Sequence, residues 1–386
     1  MTEWKTYKIG DIGKVITGKT PKTTIAENYG GAIPFLTPSD DLSSKYAPQT
    51  TKTLTERGLF EVKNCLLPSN AICVSCIGSD LGKVVKIVEP SVTNQQFNSI
   101  IPSSDFDADF VYYLMTIVGK QLNYLSKTST AVPIINKTQF SNFEFCIPPL
   151  EEQRRIAGIL SAIDDKIENN RRINDNLEQQ AQALYKQWFV DNRSDDWEEI
   201  KLGDIIEISK KSITPAQSEN TIFEHYSLPA FDDGIQPVFE KGKYIKSSKF
   251  IVEQNMFLFS KLNPRIKRIW LPDIQTGNAI CSTEFIPYKP KDIAMFGFCY
   301  SIVNSDSFYE YVLSLTNGST GSHQRFHPID TLDYELMIPN NDYIAKFEEL
   351  VMPIYRTIAR NRMECKNLAT LRDTLLPKLM NGEVKL

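Results

Sequence analysis

The sequence predicts an α+β protein in which two similar mixed α/β globular domains are separated by two long helices that form an antiparallel coiled coil. Three observations lead to this prediction. Apolar residues follow a heptad pattern over residues 148–190, and a weaker pattern of the same kind covers residues 342–379. Each pattern comes after a stretch of roughly 145 residues that is rich in short strand-like runs. Matched residues in the two halves indicate an internal duplication with pseudo-two-fold symmetry.

The first predicted helix begins at two prolines and carries glutamates in its first turn, which suits the start of a helix. Its apolar positions alternate steps of four and three residues over four heptads. That period is typical of a coiled coil and not of an ordinary surface helix. The predicted seam of this helix contains Ile156, Leu160, Ile163, Ile167, Leu177 and Leu184.

The two halves repeat each other at nearly constant offsets. Trp4 and Asp11 recur 193 residues later as Trp197 and Asp204, and from the start of each helix onward the offset is 191 residues. This spacing is too long for a solenoid repeat and indicates two copies of one plan. The plan divides the chain into a first domain at 1–147, a central helix at 148–192, a second domain at 193–338 and a C-terminal helix at 339–386.

The second predicted helix is less regular because Pro353 lies inside it, where we expect a kink. Two seams of matching length in one chain are satisfied most simply by packing against each other. A whole domain connects the helices, so antiparallel packing spares the chain a return of about 60 Å. The predicted seam of this helix contains Ile354, Ile358, Leu368 and Leu375.

Three asparagines, Asn170, Asn174 and Asn361, interrupt the apolar seams. Buried asparagines in a coiled coil lower its stability but restrict the register in which the helices meet. The sequence leaves two interpretations open, which are control of the register and a local break of the seam at the surface.

The composition is that of an ordinary globular protein. A net charge of −4 argues against a protein that coats nucleic acid non-specifically. No apolar run is long enough to span a bilayer, and the first residues lack the layout of a signal peptide. Seven cysteines spread over a long chain do not form a disulfide framework. We therefore expect a cytoplasmic protein with reduced thiols and no membrane association.

Two local features point to DNA. Residues 240–268 contain eight Lys and Arg but only two Glu, and residues 17–24 form a loop rich in hydroxyl groups and lysines. Similar domains at the ends of an antiparallel helix pair are related by an approximate two-fold axis, which matches the symmetry of a DNA backbone. The predicted target is two short, different sequences separated by a fixed gap that is not read.

Several short motifs occur in one order along the chain. They are Ile9-Gly10-Asp11-Ile12, Gly18-Lys19-Thr20-Pro21, Tyr29-Gly30-Gly31-Ala32-Ile33-Pro34-Phe35, Thr37-Pro38-Ser39-Asp40, Thr93-Asn94-Gln95-Gln96 and Ile147-Pro148-Pro149-Leu150-Glu151-Glu152-Gln153. Each motif is weak alone. In this order, together with the duplication and both helices, they resemble the specificity (S) subunit of Type I restriction-modification enzymes over essentially the whole chain. The second half departs from the pattern at Asn340-Asn341 and at Ser212-Ile213-Thr214-Pro215.

The resemblance implies that each globular domain is a target recognition domain and that the helices form the spacer between them. It implies a subunit that does no chemistry, binds no cofactor itself and selects a double-stranded DNA sequence. Its expected partners are two methyltransferase (modification) subunits and the restriction/translocase subunits. S-adenosylmethionine and ATP with Mg²⁺ are then expected on those partner subunits.

Candidate DNA contacts follow from residue chemistry. Phosphate contacts need Lys, Arg, Ser or Thr on exposed loops, and base reading in the major groove favours Arg, Lys, Asn and Gln. For any single residue the alternative is a solvated surface charge. The predicted contacts of the first domain are Lys19, Thr20, Lys22, Thr23, Lys45 and Tyr46. Those of the second domain are Lys243, Lys246, Lys249, Arg265, Lys267 and Arg268.

Motifs for catalysis or metal binding are missing or incomplete. The phosphate-binding patterns Gly-x-Gly-x-x-Gly and Gly-x-x-x-x-Gly-Lys-Ser/Thr do not occur. Cys73 and Cys76 lie in an apolar strand-like run without a second pair at zinc spacing, which favours buried thiols. His323 and His327 have helical metal spacing, but Pro328 follows them, which favours a loop. The sequence therefore predicts neither a metal site nor a catalytic residue.

Two other classes of protein compete with this interpretation. One is a two-headed coiled-coil protein–protein scaffold without DNA binding, and the other is a metal-dependent nuclease or methyltransferase that uses scattered carboxylates. The duplication, the hydroxyl-rich loop and the local basic patch favour DNA binding over the scaffold. The missing motifs argue against the enzyme.

Overall fold

A computed structural model describes residues 4–78, 81–128, 134–316 and 324–384 of the 386-residue chain. The chain divides into two compact units. The first unit contains Met1–Glu168 and Asn367–Leu386, and the second contains Asn169–Lys366. Each unit is therefore a globular lobe together with one end of each long helix.

The first lobe, residues 5–147, mixes short strands with helices. Its elements in chain order are β1 (Lys5–Lys8), α1 (Ile9–Ile12), β2 (Gly13–Thr17), β3 (Tyr29–Leu36), β4 (Thr53–Leu54), α2 (Glu56–Glu61), β5 (Leu66–Leu67), β6 (Ile72–Ser75), β7 (Val84–Lys86), β8 (Ser91–Thr93), β9 (Phe97–Pro102), α3 (Ala108–Thr128), α4 (Lys137–Ser141) and β10 (Glu144–Ile147). The long helix α5 (Leu150–Tyr185) follows and continues as a π-helical stretch, Lys186–Asp191.

The second lobe, residues 198–338, has the elements β11 (Glu198–Lys201), α6 (Leu202–Ile205), β12 (Ile206–Ile208), β13 (Ser212–Ile213), β14 (Ile222–Tyr226), α7 (Leu228–Asp232), β15 (Val238–Lys241), β16 (Lys249–Ile251), β17 (Phe257–Ser260), β18 (Ile269–Trp270), β19 (Ala279–Cys281), β20 (Phe285–Pro290), α8 (Phe296–Val303), α9 (Asp306–Ser314) and β21 (Glu335–Ile338). The second long helix is α10 (Asn341–Met380). Short 3₁₀ turns at Ala26–Asn28, Lys63–Cys65, Pro215–Ser218 and Gly242–Tyr244 connect strands in the two lobes.

The strand order confirms the predicted duplication. The first lobe contains a sheet of order β2-β9-β6-β7, and the second lobe contains a sheet of order β12-β20-β17-β18. A further sheet contains the parallel pair β3/β8 in the first lobe and the parallel pair β14/β19 in the second. A separate two-stranded sheet closes each lobe, with Lys5 opposite Ile147 and Glu198 opposite Ile338. The same plan is therefore built twice, with one additional strand, β13, in the second lobe.

Backbone conformation repeats as well. Asn70 and Asn255 precede β6 and β17 with φ angles of 68° and 63°, and Gly78 and Asn263 follow these strands with φ angles of 118° and 49°. Glycine and asparagine adopt positive φ at the lowest cost. Each of these two pairs is separated by 185 residues in the sequence.

The core of the first lobe forms between the β2-β9-β6-β7 sheet, α3 and the start of α5. Asp107 caps α3, since its Oδ1 accepts a hydrogen bond from Phe110 N at 2.9 Å. One face of α3 is buried and joins Ile72 of β6 and Leu160 of α5 in one cluster. Each large apolar side chain buried there contributes about 1.5–3 kcal/mol relative to exposure. The start of α5 thus belongs to the core of this unit.

In the second lobe, every residue of α8 is buried. Glu348 of α10 accepts hydrogen bonds from Gly297 N at 3.1 Å and Phe298 N at 2.7 Å, at the start of α8. Burial raises the pKa of this carboxyl group although both hydrogen bonds oppose the shift. Asn340 caps α10 by accepting from Tyr343 N at 3.0 Å, so this helix begins with an asparagine cap where α5 begins with prolines.

The long helices run antiparallel within the second unit, as predicted. Asn170 Nδ2 donates to Glu364 Oε2 at 2.9 Å, whereas Tyr185 further along α5 contacts Phe347 earlier in α10, with ring centroids 6.5 Å apart. In the first unit Arg372 Nη1 donates to Asp164 Oδ1 at 2.7 Å. α10 is assigned as one continuous helix through Pro353. Among the described residues, none of the helices has the length and apolar character required to cross a membrane.

The asparagines of the seam are buried and paired. Asn361 Nδ2 donates to Asn174 Oδ1 at 2.9 Å, and Asn174 Nδ2 donates to Ile358 O at 3.3 Å. Asn170, Asn174 and Asn361 are all at most 7 % exposed, which rules out a surface break of the seam. Control of the register stays a prediction.

Of the predicted seam residues, Ile156, Leu160, Ile163, Ile167 and Ile358 are buried, and Leu177, Leu184, Ile354, Leu368 and Leu375 are half-buried.

Candidate nucleic-acid interface

The hydroxyl- and lysine-rich loop of the first lobe is held in place by backbone contacts. Gly18 N donates to Phe97 O at 3.1 Å and Lys19 N to Thr93 O at 2.9 Å, while Thr20 Oγ1 donates to Gln95 Oε1 at 2.6 Å. A Cβ atom on Gly18 would lie 2.1 Å from Asn94 O, so glycine is required at this crossing. Two motifs that are distant in sequence, at residues 18–21 and 93–96, are thus adjacent in space.

The same loop lies against α2. Lys22 N donates to Glu61 Oε2 at 3.0 Å, and Asn28 Nδ2 donates to Glu61 Oε1 at 3.1 Å. These two hydrogen bonds, that from Lys22 first, hold the pKa of the Glu61 carboxyl group below its usual value. We call residues 18–28 and 56–65 the first tip. Within it the side chains of Lys19, Lys22 and Thr23 are exposed.

The second lobe has a corresponding structure. Lys243 N donates to Glu219 O at 3.2 Å and Gly242 N to Thr221 O at 2.9 Å, and the hydroxyl oxygens of Thr214 and Ser248 lie 3.3 Å apart. We call residues 210–219 and 241–249 the second tip. Lys243 and Lys246 are exposed on it.

A glycine joins the two segments of each tip. A Cβ atom on Gly58 would lie 2.2 Å from Asn28 O, and one on Gly242 would lie 2.3 Å from Pro215 O. Real side chains do not approach a backbone oxygen so closely, so both positions need glycine. The backbones of the segments consequently pack directly against each other in both tips.

Each tip also carries an aromatic residue that the sequence did not single out. Phe60 and Tyr244 are 73 % and 66 % exposed, and each lies two residues after the packing glycine. A short repeat could have identified them. Glu56-Arg57-Gly58-Leu59-Phe60 recurs 184 residues later as Glu240-Lys241-Gly242-Lys243-Tyr244.

Lys45 and Tyr46 have structural contacts that the sequence did not predict. Lys45 Nζ lies 2.8 Å from Asp109 Oδ1 and donates to Ser161 Oγ at 2.8 Å, and its side chain is only 3 % exposed. Tyr46 Oη donates to Asp165 Oδ1 at 3.1 Å, and burial together with this carboxylate raises the pKa of Tyr46 to about 12. Both residues attach their segment to α3 and α5. The charge of Lys45 is therefore paired inside the unit, and a contact between Lys45 and DNA stays a prediction.

Three predicted cations of the second lobe are also tied to the protein. Burial lowers the pKa of the ammonium group of Lys249. Lys267 Nζ donates to Asn304 O at 2.5 Å, and burial lowers its pKa as well. Arg268 binds Asp232 through two hydrogen bonds of 2.7 and 3.0 Å. These three residues lie near Lys243 and Lys246 in the sequence, but they are less exposed than those two lysines.

Arg265 is exposed in the turn after β17. The turn is closed by a hydrogen bond of 2.9 Å from Ile266 N to Asn263 O. Of the predicted contacts, those with exposed side chains are Lys19, Lys22, Thr23, Lys243, Lys246 and Arg265, and Thr20 is half-buried.

The Thr37-Pro38-Ser39-Asp40 motif braces a loop. Asp40 Oδ2 accepts hydrogen bonds from Thr37 N at 2.8 Å and Thr37 Oγ1 at 3.0 Å, and Asp40 Oδ1 accepts from Thr51 N at 2.9 Å. Burial would raise the pKa of Asp40, but these hydrogen bonds outweigh it and lower the pKa. The carboxylate is therefore occupied by its own loop.

Cys73 and Cys76 do not belong to a metal-binding group among the described residues. Cys73 and Cys76 are buried in two different apolar clusters, and burial raises the pKa of their thiols to about 12 and about 11. His323 lies outside the described residues, and His327 precedes a 3₁₀ turn. No group of three or more His, Cys, Asp or Glu in the described stretches of the chain is arranged to hold a metal ion.

These features are similar to those of known proteins. Residues 1–179 match the family described as Type I restriction modification DNA specificity domain. The specificity subunit of the Type I restriction enzyme MjaIX from Methanocaldococcus jannaschii is 28 % identical over an alignment of 412 residues that covers 99 % of this chain and 94 % of the relative. The specificity subunit of the Type I restriction enzyme HindI from Haemophilus influenzae is 33 % identical over 175 residues, 44 % of this chain and 38 % of the relative.

A solved structure shares the fold. The crystal structure of a Type I restriction-modification system S subunit from M. genitalium matches with a TM-score of 0.60 at 15 % sequence identity. The match covers 98 % of this chain and 96 % of that one. The match therefore extends over both lobes and both long helices.

Proposed function

We propose that this chain is a specificity subunit of a Type I restriction-modification system and that it reads a double-stranded DNA target as two short, different half-sites, one with each lobe. The observation that carries the proposal is the repeated construction of the molecule. The two lobes share their strand order, yet their tips present different side chains. One scaffold used twice with different surfaces suits an asymmetric, divided target.

The exposed groups of both tips support DNA as the ligand. Lys19 and Lys22 on the first tip and Lys243 and Lys246 on the second are exposed and stand on braced segments. Lysines in such positions neutralise phosphates, which supplies affinity and fixes the orientation of the protein on the duplex. Threonine and serine hydroxyl groups beside them can add phosphate hydrogen bonds.

The rest of the assembly is proposed on the same basis. Residues 1–147 and 193–338 act as the two target recognition domains, and the paired helices set the gap between the half-sites. The subunit itself is non-catalytic. It docks two modification subunits, which supply S-adenosylmethionine, and restriction subunits, which supply ATP and Mg²⁺, and the complex works in the cytoplasm.

Selection of bound DNA from a random pool tests this function. The full chain, purified alone and with its modification subunits, is expected to enrich two short motifs that differ in sequence and are separated by a constant number of unread base pairs. Sequencing of the enriched pool gives the result directly. Enrichment of one continuous motif would overturn the divided target, and enrichment of none would favour a protein–protein scaffold.

A further inference from the structure

Each tip carries one largely exposed aromatic side chain. Phe60 is 73 % exposed and Tyr244 is 66 % exposed. Both follow a packing glycine by two residues, within the repeat Glu-basic-Gly-x-aromatic. Covering an exposed aromatic ring is favourable, and two open rings at the same place in a duplicated fold point to a shared use.

The backbone that carries each ring is tightly packed. The glycine before the ring brings two backbone segments into contact in both tips. Immediately after the rings, Val62 is 3 % exposed and Ile245 is 4 % exposed, so the chain returns at once to the apolar interior. The rings are therefore held at fixed positions while their own surfaces stay open.

A lysine accompanies each ring. Lys63 Nζ lies 5.2 Å from the centroid of the Phe60 ring, and Lys243 Nζ lies 4.9 Å from that of Tyr244. At this distance the ammonium group is attracted to the face of the ring. A cation beside an aromatic surface offers one group to a phosphate and the other to the adjoining base or sugar.

The surroundings of the rings favour nucleic acid over protein. The exposed neighbours of Phe60 include Arg57 and Lys63, and those of Tyr244 include Lys243 and Lys246. Aromatic anchors in protein–protein interfaces lie instead among groups that lose their water together. We propose that Phe60 and Tyr244 are equivalent DNA contacts, one at each half-site, whose rings pack against bases or sugars of the target.

This inference rests on the proposed function, and its test uses the target that the selection experiment yields. Phe60→Ala and Tyr244→Ala are made in the full chain, and binding to that target is measured over a range of salt concentrations. Each substitution is expected to weaken binding about ten-fold, as for the loss of a stacked base contact. The salt dependence should stay unchanged because no cation is removed.

Lys63→Ala and Tyr124→Ala serve as controls. Lys63→Ala should weaken binding and also reduce the salt slope by about one unit, which separates the cation from the ring. Tyr124 is 70 % exposed on α3, outside both tips, and Tyr124→Ala should bind DNA like the original chain. Phe60→Tyr and Tyr244→Phe should keep most of the affinity of the original chain, since either ring can pack against a base or sugar.

Substitutions in each half-site identify the partner of each ring. Phe60→Ala should cause no further loss of affinity on DNA in which one half-site is already scrambled. Tyr244→Ala should cause no further loss of affinity on DNA in which the other half-site is scrambled. If the original chain binds its target and both alanine variants bind equally well, the inference is wrong although the proposed function stands. Impaired assembly with the modification subunits at unchanged DNA affinity would assign the rings to a protein contact and overturn the proposal. A chain that selects no DNA at all contradicts the proposed function itself.

Discussion

The two lobes have the same strand order but stabilise their positive charges differently. In the first lobe Lys45 and Lys86 both contact Asp109 Oδ1, at 2.8 and 2.7 Å, and the lysine side chains are at most 10 % exposed. Burial would raise the pKa of Asp109, but the two lysines outweigh it and lower that pKa. In the second lobe Arg268 binds Asp232, whose side chain is 50 % exposed. The first lobe thus contains a largely buried cluster of two lysines and one carboxylate, whereas the second contains a nearly buried arginine paired with a half-exposed carboxylate.

This difference indicates which features the duplicated fold depends on. Strand order, the positive φ turns and the glycine crossings of the tips are repeated, and all of them are properties of the backbone. Most ion pairs and exposed side chains are not repeated; the exceptions include the exposed rings of Phe60 and Tyr244 and the ion-paired lysines Lys8 and Lys201. The repeated backbone therefore tolerates an extensive exchange of surface and semi-buried charges, which is what two domains with different targets would need.

The replacement of Asp109 is expected to have the largest effect on stability. Asp109→Asn leaves two nearly buried ammonium groups without their carboxylate and should lower the free energy of unfolding of the first unit by about 3 kcal/mol. Asp232→Asn in the second lobe should cost less than about 1 kcal/mol because half of that carboxylate is exposed to water. Hydrogen exchange of amides in β6 and β17 measures the two units separately. Equal losses in both would show that the two halves handle buried charge alike.

The glycine crossings should respond equally in the two halves. Gly58→Ala and Gly242→Ala place a Cβ atom within 2.3 Å of a backbone oxygen, and the strain should cost about 1–3 kcal/mol in each case. Gly158→Ala is the control, since nothing lies within 4 Å of its Cβ position on α5. That change should stabilise the helix by up to about 1 kcal/mol. Denaturant unfolding checks all three, and a neutral Gly242→Ala would mean that the second tip can open.

Much of the fold could be predicted from the sequence because its signals are periodic. The heptad seams and the repeated residues identified the long helices, their antiparallel packing and the duplication. The buried pair formed by Asn174 and Asn361 was not predicted, since a period places a residue on a face but does not identify its partner. A direct contact between side chains depends on the register, which the structure supplies.

The exposure of the candidate interface residues was predicted less well, because exposure is a tertiary property. The residues around Lys45 in the sequence are typical of a loop. In the structure this loop folds against α5, and Lys45 binds Asp109. Lys249 belongs to a basic stretch, but β16 turns its side chain inward. Phe60 and Tyr244 were missed because only Glu and Gly are identical in their five-residue repeat, and because exposed aromatics resemble core residues in a sequence.

The smallest expected effect concerns a titratable group that only the second half contains. His225 on β14 lies opposite Ile280, and in the first half Phe35 on β3 lies opposite Val92 in the same parallel pairing. Burial lowers the pKa of His225, although a hydrogen bond of 2.6 Å between its Nδ1 and Glu240 partly opposes the shift. The positive charge of Lys249 acts in the same direction as burial.

Because the folded pKa of His225 is below its ordinary value of 6.5, the unfolded chain binds the proton more readily. The stability of the second unit should therefore be complete above about pH 6.5 and fall as the pH decreases below it. His225→Phe introduces the residue type that Phe35 provides at the equivalent position of the first half, and it should remove this contribution to the acid sensitivity. The control His327→Gln should keep the acid sensitivity that His225 causes. Hydrogen exchange of β14 and β3 amides between about pH 7.5 and pH 5.5 compares the halves directly. An equal decline in both strands, or a decline that persists in His225→Phe, would assign the acid sensitivity to carboxylates common to the two units.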